Sequence, residues 1–311
     1  MKKFTKITLW MTAILVVTGL GFLIAGTVTA GGTDVLKAQL RSGDLNFGNW
    51  HFDDGVYYKG DKEIDVADVV KDAMHLLPAG EEQITDEFAN DITCIEIETD
   101  ISNLTIKPSN TDKFVVNLEE GYTKYYEADV HDDTLIIRYD VKGQTFKQGP
   151  KIVVEVPKNQ KLERIYIYTK LGEVNLRELE QETEELEIYS DLGNVHIEDC
   201  RMNGSCTVSA AMGNINIEDS KFKEADLNAD MGNIDFSGAV TEGMNGQADM
   251  GSIDVELDGF SETYNIQLST DMGSVVYEGE KQGNSFASYP AEAEAFIVLN
   301  CDMGEVELSF E

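Results

Sequence analysis

One motif recurs along the C-terminal part of this 311-residue chain, and it constrains the fold more than any other feature. Each copy places a glycine between two short stretches of alternating apolar and polar residues. The copies are YTKLGEVNL (168–176), YSDLGNVHI (189–197), SAAMGNINI (209–217), NADMGNIDF (228–236), QADMGSIDV (247–255), STDMGSVVY (269–277) and NCDMGEVEL (300–308). An eighth copy, ETDISNLTI (98–106), has Ser102 at the glycine position. The glycines are 19 to 22 residues apart, except for a gap of 31 before the last copy.

The columns of the repeat indicate strands. Apolar residues stand two and four positions after each glycine and five before it in nearly every copy, with mostly polar residues between them, which is the pattern of a strand with one buried face. The residue three before the glycine is always small, which fits a tight inner corner. We expect the glycines to form structural turns that need a positive φ. These turn glycines are Gly172, Gly193, Gly213, Gly232, Gly251, Gly273 and Gly304.

A unit of two short strands cannot bury its apolar face alone, whereas stacked parallel copies share one continuous core. The sequence therefore predicts an all-β fold, a parallel β-solenoid of about eight rungs. Antiparallel strands at its N-terminal end are expected from residues 114–157, with a hairpin turn at His131–Asp133. The last copy is expected to form an open end with unpaired backbone groups, and we expect the insertion at 278–294 to fold over it.

The residue before each glycine is always leucine or methionine. We expect this stripe to pack under the corner as flexible core filling, because methionine adapts to irregular gaps more often than it binds a ligand. The stripe consists of Leu171, Leu192, Met212, Met231, Met250, Met272 and Met303.

The N-terminus predicts one transmembrane helix. Residues 7–28 contain no charged residue, and a helix of that length crosses the ~30 Å hydrocarbon core. Lysines before this stretch favour a cytoplasmic N-terminus and an exported C-terminal part. A cleaved signal peptide ending at Val28-Thr29-Ala30 is the alternative. We therefore predict an anchor at 1–30, a juxtamembrane linker with a possible short helix at 31–90, and an extracytoplasmic β-solenoid ectodomain at 91–311.

The chain is strongly acidic, with a net charge of −34. Such a surface repels nucleic acid and therefore excludes it as a partner. Asp230, Asp249 and Asp271 each stand two residues before a glycine, so they are expected to stack on neighbouring rungs about 4.8 Å apart. They either point into water as turn residues or share a divalent cation as metal ligands. No other cofactor is expected.

A second candidate site is aromatic. Tyr166, Tyr168 and Tyr189 face outward by the same alternation, and Tyr122, Tyr125 and Tyr126 lie close in sequence to the covering strands. Mutual packing under the 114–157 strands is one interpretation. A ligand patch that stacks on a sugar or a peptide is the other.

The sequence offers no recognisable catalytic set. The four histidines share no motif with a nucleophile, and nucleophile-elbow, metalloprotease and phosphate-loop motifs are missing. The four cysteines, Cys94, Cys200, Cys206 and Cys301, lack metal spacing. Cys206 and Cys301 fall on inward columns, where a free thiol is a small apolar side chain. These observations favour a protein that is not an enzyme.

The layout resembles the bacterial "putative adhesin" family, a domain of unknown function with membrane-anchored relatives in envelope-stress operons. The likeness is carried by Val156-Pro157-Lys158 and by the glycine repeats, within residues 92–311. It implies a surface location and a β-solenoid, and it supplies no catalytic residues.

We therefore expect a non-enzymatic cell-surface or envelope module in the cell membrane that adheres or binds a ligand through its acidic β-solenoid. The alternative is a membrane-anchored scaffold or envelope-stress signalling partner that contacts another membrane protein. A polysaccharide-acting enzyme is the third hypothesis. The identity of the surface ligand or membrane partner does not follow from the sequence.

Overall fold

A computed structural model describes residues 50–53, 56–59, 62–64, 84–89, 91–119, 122–142, 149–180 and 182–311. The chain divides into two compact units, 1–80 and 81–311. The predicted membrane anchor and the possible helix of the linker lie outside the described residues. Within the residues that are described, no helix has both the length and the apolar character needed to cross a membrane.

The first unit contains a small antiparallel sheet in the segment that the sequence analysis treated as a linker. Its strands are β1 (Trp50–Asp53), β2 (Val56–Lys59) and β3 (Lys62–Ile64), paired in that order. Regular backbone pairing therefore begins well before the repeats.

The second unit is one sheet of nineteen strands and two short 3-10 helices, Thr123–Tyr125 and Ser261–Thr263. Its first strands are β4 (Ile84–Phe88), β5 (Cys94–Thr99), β6 (Asn103–Ser109), β7 (Phe114–Leu118), β8 (Tyr126–His131), β9 (Thr134–Tyr139) and β10 (Lys151–Pro157). The middle strands are β11 (Leu162–Leu171), β12 (Val174–Arg177), β13 (Thr183–Leu192), β14 (Val195–Glu198), β15 (Ser205–Met212), β16 (Ile215–Met231) and β17 (Ile234–Met250). The last strands are β18 (Ile253–Leu257), β19 (Tyr264–Tyr277), β20 (Glu280–Gly283), β21 (Ser285–Ser288) and β22 (Ala295–Phe310).

The repeats form a solenoid-like stack of parallel strands, as predicted. The stretch before each glycine pairs in register with the same stretch of the next rung, and so does the stretch after it. The predicted inward columns are buried; Ile215, Ile217 and Val208, for example, have no exposed surface. One continuous apolar core therefore runs through the stack.

The anchor glycines are required by close approach between rungs. A Cβ atom added to any of the seven would overlap the carbonyl oxygen of the corresponding residue on the adjacent rung. Only Gly172, Gly193, Gly213 and Gly304 also have a clearly positive φ, between 126° and 156°. The predicted φ requirement therefore holds for four of the seven, and the steric requirement holds for all.

A second corner lies six residues after the glycine in the middle rungs. Glu178, Asp199 and Asp219 adopt left-handed backbone conformations there, with φ between 49° and 55°, and Gly238 takes the equivalent place. Beyond this corner a third side forms in β16 and β17, where Phe222 pairs with Val240 in the core. This corner has no recognisable signature in the sequence, because its residue type changes from copy to copy.

At the N-terminal end the rung order differs from the chain order. Strands β9 and β10 pair in parallel with β5 and β6, so these two strands form a further rung beneath β5 and β6. Strands β4, β7 and β8 then cover this rung by antiparallel pairing. The predicted antiparallel strands are thus present, but two of the strands expected among them belong to the parallel stack.

At the C-terminal end the last two copies exchange places. Strand β22, the last in the chain, pairs in parallel with β17 and β18 on one side and with β19 on the other. The expected open end at the last copy is therefore wrong, because β19 forms the outermost rung. The insertion does cover the end, since β20 and β21 pair antiparallel with β19.

Candidate ligand-binding surface

The residues before the glycines form an exposed apolar ridge. In stacking order the ridge consists of Leu171, Leu192, Met212, Met231, Met250, Met303 and Met272, each paired with the next. Their exposure ranges from 38% to 65%. The prediction that this stripe packs under the corner is therefore wrong.

The corner itself explains why the ridge faces outward. The small residue three before the glycine already fills the inner side, as Ala210, Ala229 and Ala248 do with almost no exposed surface. The glycine backbones stack tightly on their neighbours and leave no space between rungs. Both residues between the small column and the glycine must therefore project from the turn, which breaks the alternation of the strand.

An aspartate column runs beside the ridge. Asp230 and Asp249 occupy neighbouring rungs as predicted, but the register places Asp302 between Asp249 and Asp271. Two of these carboxylates accept hydrogen bonds from amide side chains. Asn228 Nδ2 donates to Asp230 and Gln247 Nε2 donates to Asp249, each at 3.4 Å. Within the described part of the chain, no group of three or more His, Cys, Asp or Glu side chains is arranged to hold a metal. A divalent cation at Asp230, Asp249 and Asp271 thus stays a prediction from sequence.

An asparagine ladder runs along the other side of the ridge. The backbone N–H groups of Asn214, Asn233 and Ser252 each donate to the side-chain oxygen of the asparagine on the preceding rung, at 2.9 Å. These bonds satisfy backbone donors at the turn and fix the rungs in register. The ridge is therefore held by a rigid backbone on which only the side chains can adapt.

The tyrosine patch is open rather than covered. The rings of Tyr166 and Tyr189 lie 5.9 Å apart, and the guanidinium of Arg164 lies 4.9 Å from the Tyr166 ring centre. The hydroxyl of Tyr168 donates to Asp191 at 2.9 Å. All three tyrosines are partly exposed. The patch thus offers aromatic faces with a charged rim.

The other three tyrosines form a separate cluster. Tyr122 and Tyr125 pack edge-on against the buried Tyr139, with ring centres 6.4 Å apart in both pairs. Burial of Tyr126 and its hydrogen bond to Asp86 raise the pKa of its hydroxyl well above the usual range. Tyr122 and Tyr125 thus pack around Tyr139, whereas Tyr166 and Tyr189 pack against each other on β11 and β13.

Carboxylates crowd the face that follows the glycines. Burial and the neighbouring Asp254 and Glu218 raise the pKa of Asp235. A hydrogen bond with Glu311 raises the pKa of Glu256. This face therefore disfavours further negative charge.

The buried cysteine thiols are unsuited to nucleophilic chemistry. All four cysteines are unpaired, and three of them are buried. Burial raises the pKa of Cys200 to about 12 and also raises the pKa of Cys206 and of Cys301. Thiolate is the reactive form, so these buried thiols are chemically quiet at neutral pH.

A family model matches residues 92–287, which is more than half of the chain; its description is Toastrack DUF4097. This chain belongs to the Toastrack DUF4097 family. The matched range contains most of the glycine repeats and ends within β21, before the inserted strand β22. No curated protein matches the chain.

Several solved structures resemble the Toastrack chain at low sequence identity. A protein titled putative adhesin from Bacteroides fragilis is 15% identical and has a TM-score of 0.43; the match covers 73% of this chain and 97% of that one. A putative cell adhesion protein from Clostridium sporogenes is 11% identical, with a TM-score of 0.30 and coverage of 74% and 100%. A putative lipid binding protein from Parabacteroides distasonis is 14% identical, with a TM-score of 0.30 and coverage of 75% and 98%. These low scores do not indicate a shared ligand.

The exposed ridge of this Toastrack domain is the feature that sequence reasoning misplaced. Strict alternation puts the residue before the glycine inside, because the small residue two positions earlier is inside. A usable signal was present, since a corner already filled by small side chains has no room for a leucine or methionine.

Proposed function

We propose that this protein is a non-enzymatic surface or envelope module that binds a ligand through the outward side chains of its acidic β-solenoid. The observation that carries the proposal is the ridge of seven exposed apolar side chains on consecutive rungs. Contiguous exposed apolar surface on a soluble domain marks an interaction site far more often than an accident of packing.

The chemistry of the described residues supports binding rather than turnover. His196 stands on an outward column between Asn175 and Asn216, so its paired residues on the neighbouring strands are amides and not nucleophiles. The buried cysteines are held as thiols, as their raised pKa values require. The depression bounded by Ser109, Asp112, Lys158 and Gln160 lies at the ends of β6 and β10. The Ser109 hydroxyl pairs with Thr111 Oγ1 at 3.0 Å, which is not a general base.

The location forms part of the proposal. The uncharged segment at 7–28 is proposed to anchor the chain in the cell membrane as a single span, with a cytoplasmic N-terminus. The solenoid then lies outside the cytoplasm. Protease treatment of intact cells tests this arrangement: we expect loss of the solenoid and protection of the N-terminus, whereas full protection in intact cells would contradict it.

Binding is tested with full-length protein against cell-wall glycans, matrix proteins and peptides. We expect binding to weaken at least fivefold in Met231→Gln/Met250→Gln or in Tyr166→Ala/Tyr168→Ala. Phe260→Gln is the matched control, because Phe260 is 77% exposed and lies outside both surfaces. A ligand whose affinity is the same in all three variants would contradict the proposal, and so would turnover of a wall polysaccharide by the purified protein.

The scaffold hypothesis predicts a different result. A stoichiometric membrane protein that co-purifies equally well with the wild type and with both surface variants would favour a scaffold that acts through the anchor or the linker.

A further inference from the structure

The ridge changes in character along the stack. Its first two rungs carry leucine, and the next five carry Met212, Met231, Met250, Met303 and Met272, which are 41% to 65% exposed. We call these five the methionine segment. Methionine is unbranched and polarizable, so a row of exposed methionines can adapt to apolar side chains of different shapes. Such a row is suited to a partner that presents an apolar stripe.

The charge beside the methionine segment is uniformly negative. Asp230, Asp249, Asp302 and Asp271 stand on consecutive rungs, and no ion pair among the described residues involves them. From residue 224 to the C-terminus the sequence contains nineteen Asp and Glu but only one cation, Lys281. A partner that bears positive charge would therefore complement these aspartates.

Charge decides between the possible occupants. A second copy of this chain would bring its own aspartates against these four, and like charges that close repel. Anionic lipid and nucleic acid are repelled for the same reason. A partner with lysine or arginine beside an apolar stripe can contact the methionine segment and the aspartate column at the same time. The aspartate column thus restricts the occupant to a cationic one.

The spacing of the rungs favours a helix over an extended strand. Rungs repeat every ~4.8 Å, an α-helix presents one face every ~5.4 Å, and a strand presents one face every ~6.6 Å. Across the four intervals of the methionine segment the mismatch is ~2.4 Å for a helix and ~7 Å for a strand. Flexible methionine side chains can absorb the first mismatch but not the second. A helix of about thirteen residues spans the segment.

We propose that the methionine segment and its aspartate column form a docking surface for a basic amphipathic helix. The helix lies along the stacking direction, with its apolar stripe on the methionines and its lysine or arginine side chains over the aspartates. This inference rests on the proposed function and gives its ligand a chemical class.

The test uses full-length protein and a fluorescent 18-residue amphipathic helix of leucine and lysine. A scrambled peptide of the same composition and a leucine and glutamate version serve as peptide controls. We expect Met231→Gln/Met250→Gln to weaken binding at least tenfold. Asp230→Asn/Asp249→Asn should weaken it at least fivefold and reduce its salt dependence. Phe260→Gln and Glu278→Gln/Glu280→Gln are matched controls outside the surface and should change affinity less than twofold.

Several results would overturn the inference. One is no measurable binding of the leucine and lysine helix; another is equal binding of the scrambled peptide. Equal weakening by the two acid-removing variants would show diffuse attraction to an acidic protein instead of a site. Methionine-dependent binding of phosphatidylglycerol vesicles without peptide binding would assign the ridge to a membrane. Circular dichroism melts of each variant establish that the fold is unchanged.

The two proposals fail in different ways. A glycan or matrix protein whose binding depends on Tyr166 and Tyr168, with no peptide binding, would leave the proposed function standing and overturn the helix site.

Discussion

The N-terminal rungs (residues 94–223) and the C-terminal rungs (residues 224–311) share one backbone design but differ in surface. The first group carries many exposed ion pairs, such as Arg138 with Glu96 and Lys161 with Glu184. No ion pair among the described residues involves a residue after Glu242. The ridge changes from leucine to methionine at about the same place. The core therefore specifies the stack, while the outward columns are free to carry function.

Both ends of the stack also depart from chain order, but by different means. At the N-terminal end the chain builds outward from β5 and β6 to β9 and β10, then returns to continue with β11. At the C-terminal end the last strand, β22, lies between β18 and β19 and pairs with both. The displaced strand β22 keeps the glycine column in register, because Gly304 lies between Gly251 and Gly273. The order of copies can therefore change without a change in the repeat.

The core should be equally intolerant of charge in both groups, and this gives the largest expected effect. Ile215 has no exposed surface and lies on an inward column. Ile215→Asp buries an unpaired charge and is expected to lower the free energy of unfolding by at least ~4 kcal/mol. Ile215→Val is the control and should cost about 1 kcal/mol. Chemical denaturation measures both; equal stability of Ile215→Asp and the wild type would rule out the inward assignment.

Substitutions in the glycine column should give the second-largest loss of stability. They test whether the N-terminal and the C-terminal rungs both require the glycine. We expect Gly172→Ala and Gly251→Ala each to cost ~3 kcal/mol or more, because the added methyl group overlaps a backbone carbonyl of the adjacent rung. Gly259→Ala is the control, since its φ is positive like that of Gly172 but nothing lies within 4 Å of the new atom. It should cost about 1 kcal/mol from backbone strain alone. A smaller loss at Gly251 than at Gly259 would contradict the steric explanation.

Removal of a contact between β22 and β17 should give a moderate loss of stability. The Phe296 ring of β22 lies over Gly243 of β17, and Leu299 of β22 lies against Gly246. We expect Phe296→Ala to cost about 1–2 kcal/mol through lost apolar contact. Phe260→Ala should cost almost nothing, because that ring is largely exposed.

Cross-linking tests the same order directly. Asn245 pairs with Val298, whereas stacking in chain order would place it beside Gln267. In a Cys94→Ser background, oxidation should join Asn245→Cys to Val298→Cys and should not join Asn245→Cys to Gln267→Cys. The reverse pattern would place β19 on β17.

The smallest effects depend on pH. At neutral pH, removal of one carboxylate should raise the stability in the C-terminal rungs and lower it in the N-terminal rungs. Burial and its acidic neighbours raise the pKa of Asp235, so its contribution to stability is present at low pH and is lost as the pH rises through the folded value. Asp235→Asn should therefore stabilise the protein at pH 7 by about 0.2–1 kcal/mol. Thermal melts at pH 7 and pH 3 check this, and the gain should vanish at pH 3.

Asp100 supplies the opposite case in the N-terminal rungs. Burial opposes its charged form, but hydrogen bonds from Lys170 Nζ at 2.6 Å and from the backbone N–H of Val141 at 3.0 Å lower its pKa overall. Its contribution is therefore present at neutral pH and is lost as the pH falls through the folded value. Asp100→Asn should destabilise the protein by about 1 kcal/mol at pH 7 and less at pH 3. If stability changes with pH in the same way in Asp235→Asn and Asp100→Asn, the proposed contrast between the C-terminal and N-terminal rungs is wrong.

The candidate surfaces were only partly accessible to sequence reasoning. Alternation correctly placed Tyr166, Tyr168 and Tyr189 outward, because they lie inside regular strands. It failed for Met231 and its equivalents, because these residues lie at the corner, where the backbone turn and the stacked glycines override the period of two.

The sequence by itself determined the repeat, the parallel stacking, the buried columns and the small inner corner. These depend on local periodicity and on the need of each copy to bury its apolar face against a neighbour. Only the tertiary structure decided which copies are neighbours and which side chains the corner leaves outside. The copies are nearly equivalent in the columns that drive stacking, so they cannot encode their own order. That order depends on contacts between particular rungs, such as Phe296 on Gly243, whose partners lie far apart in the chain.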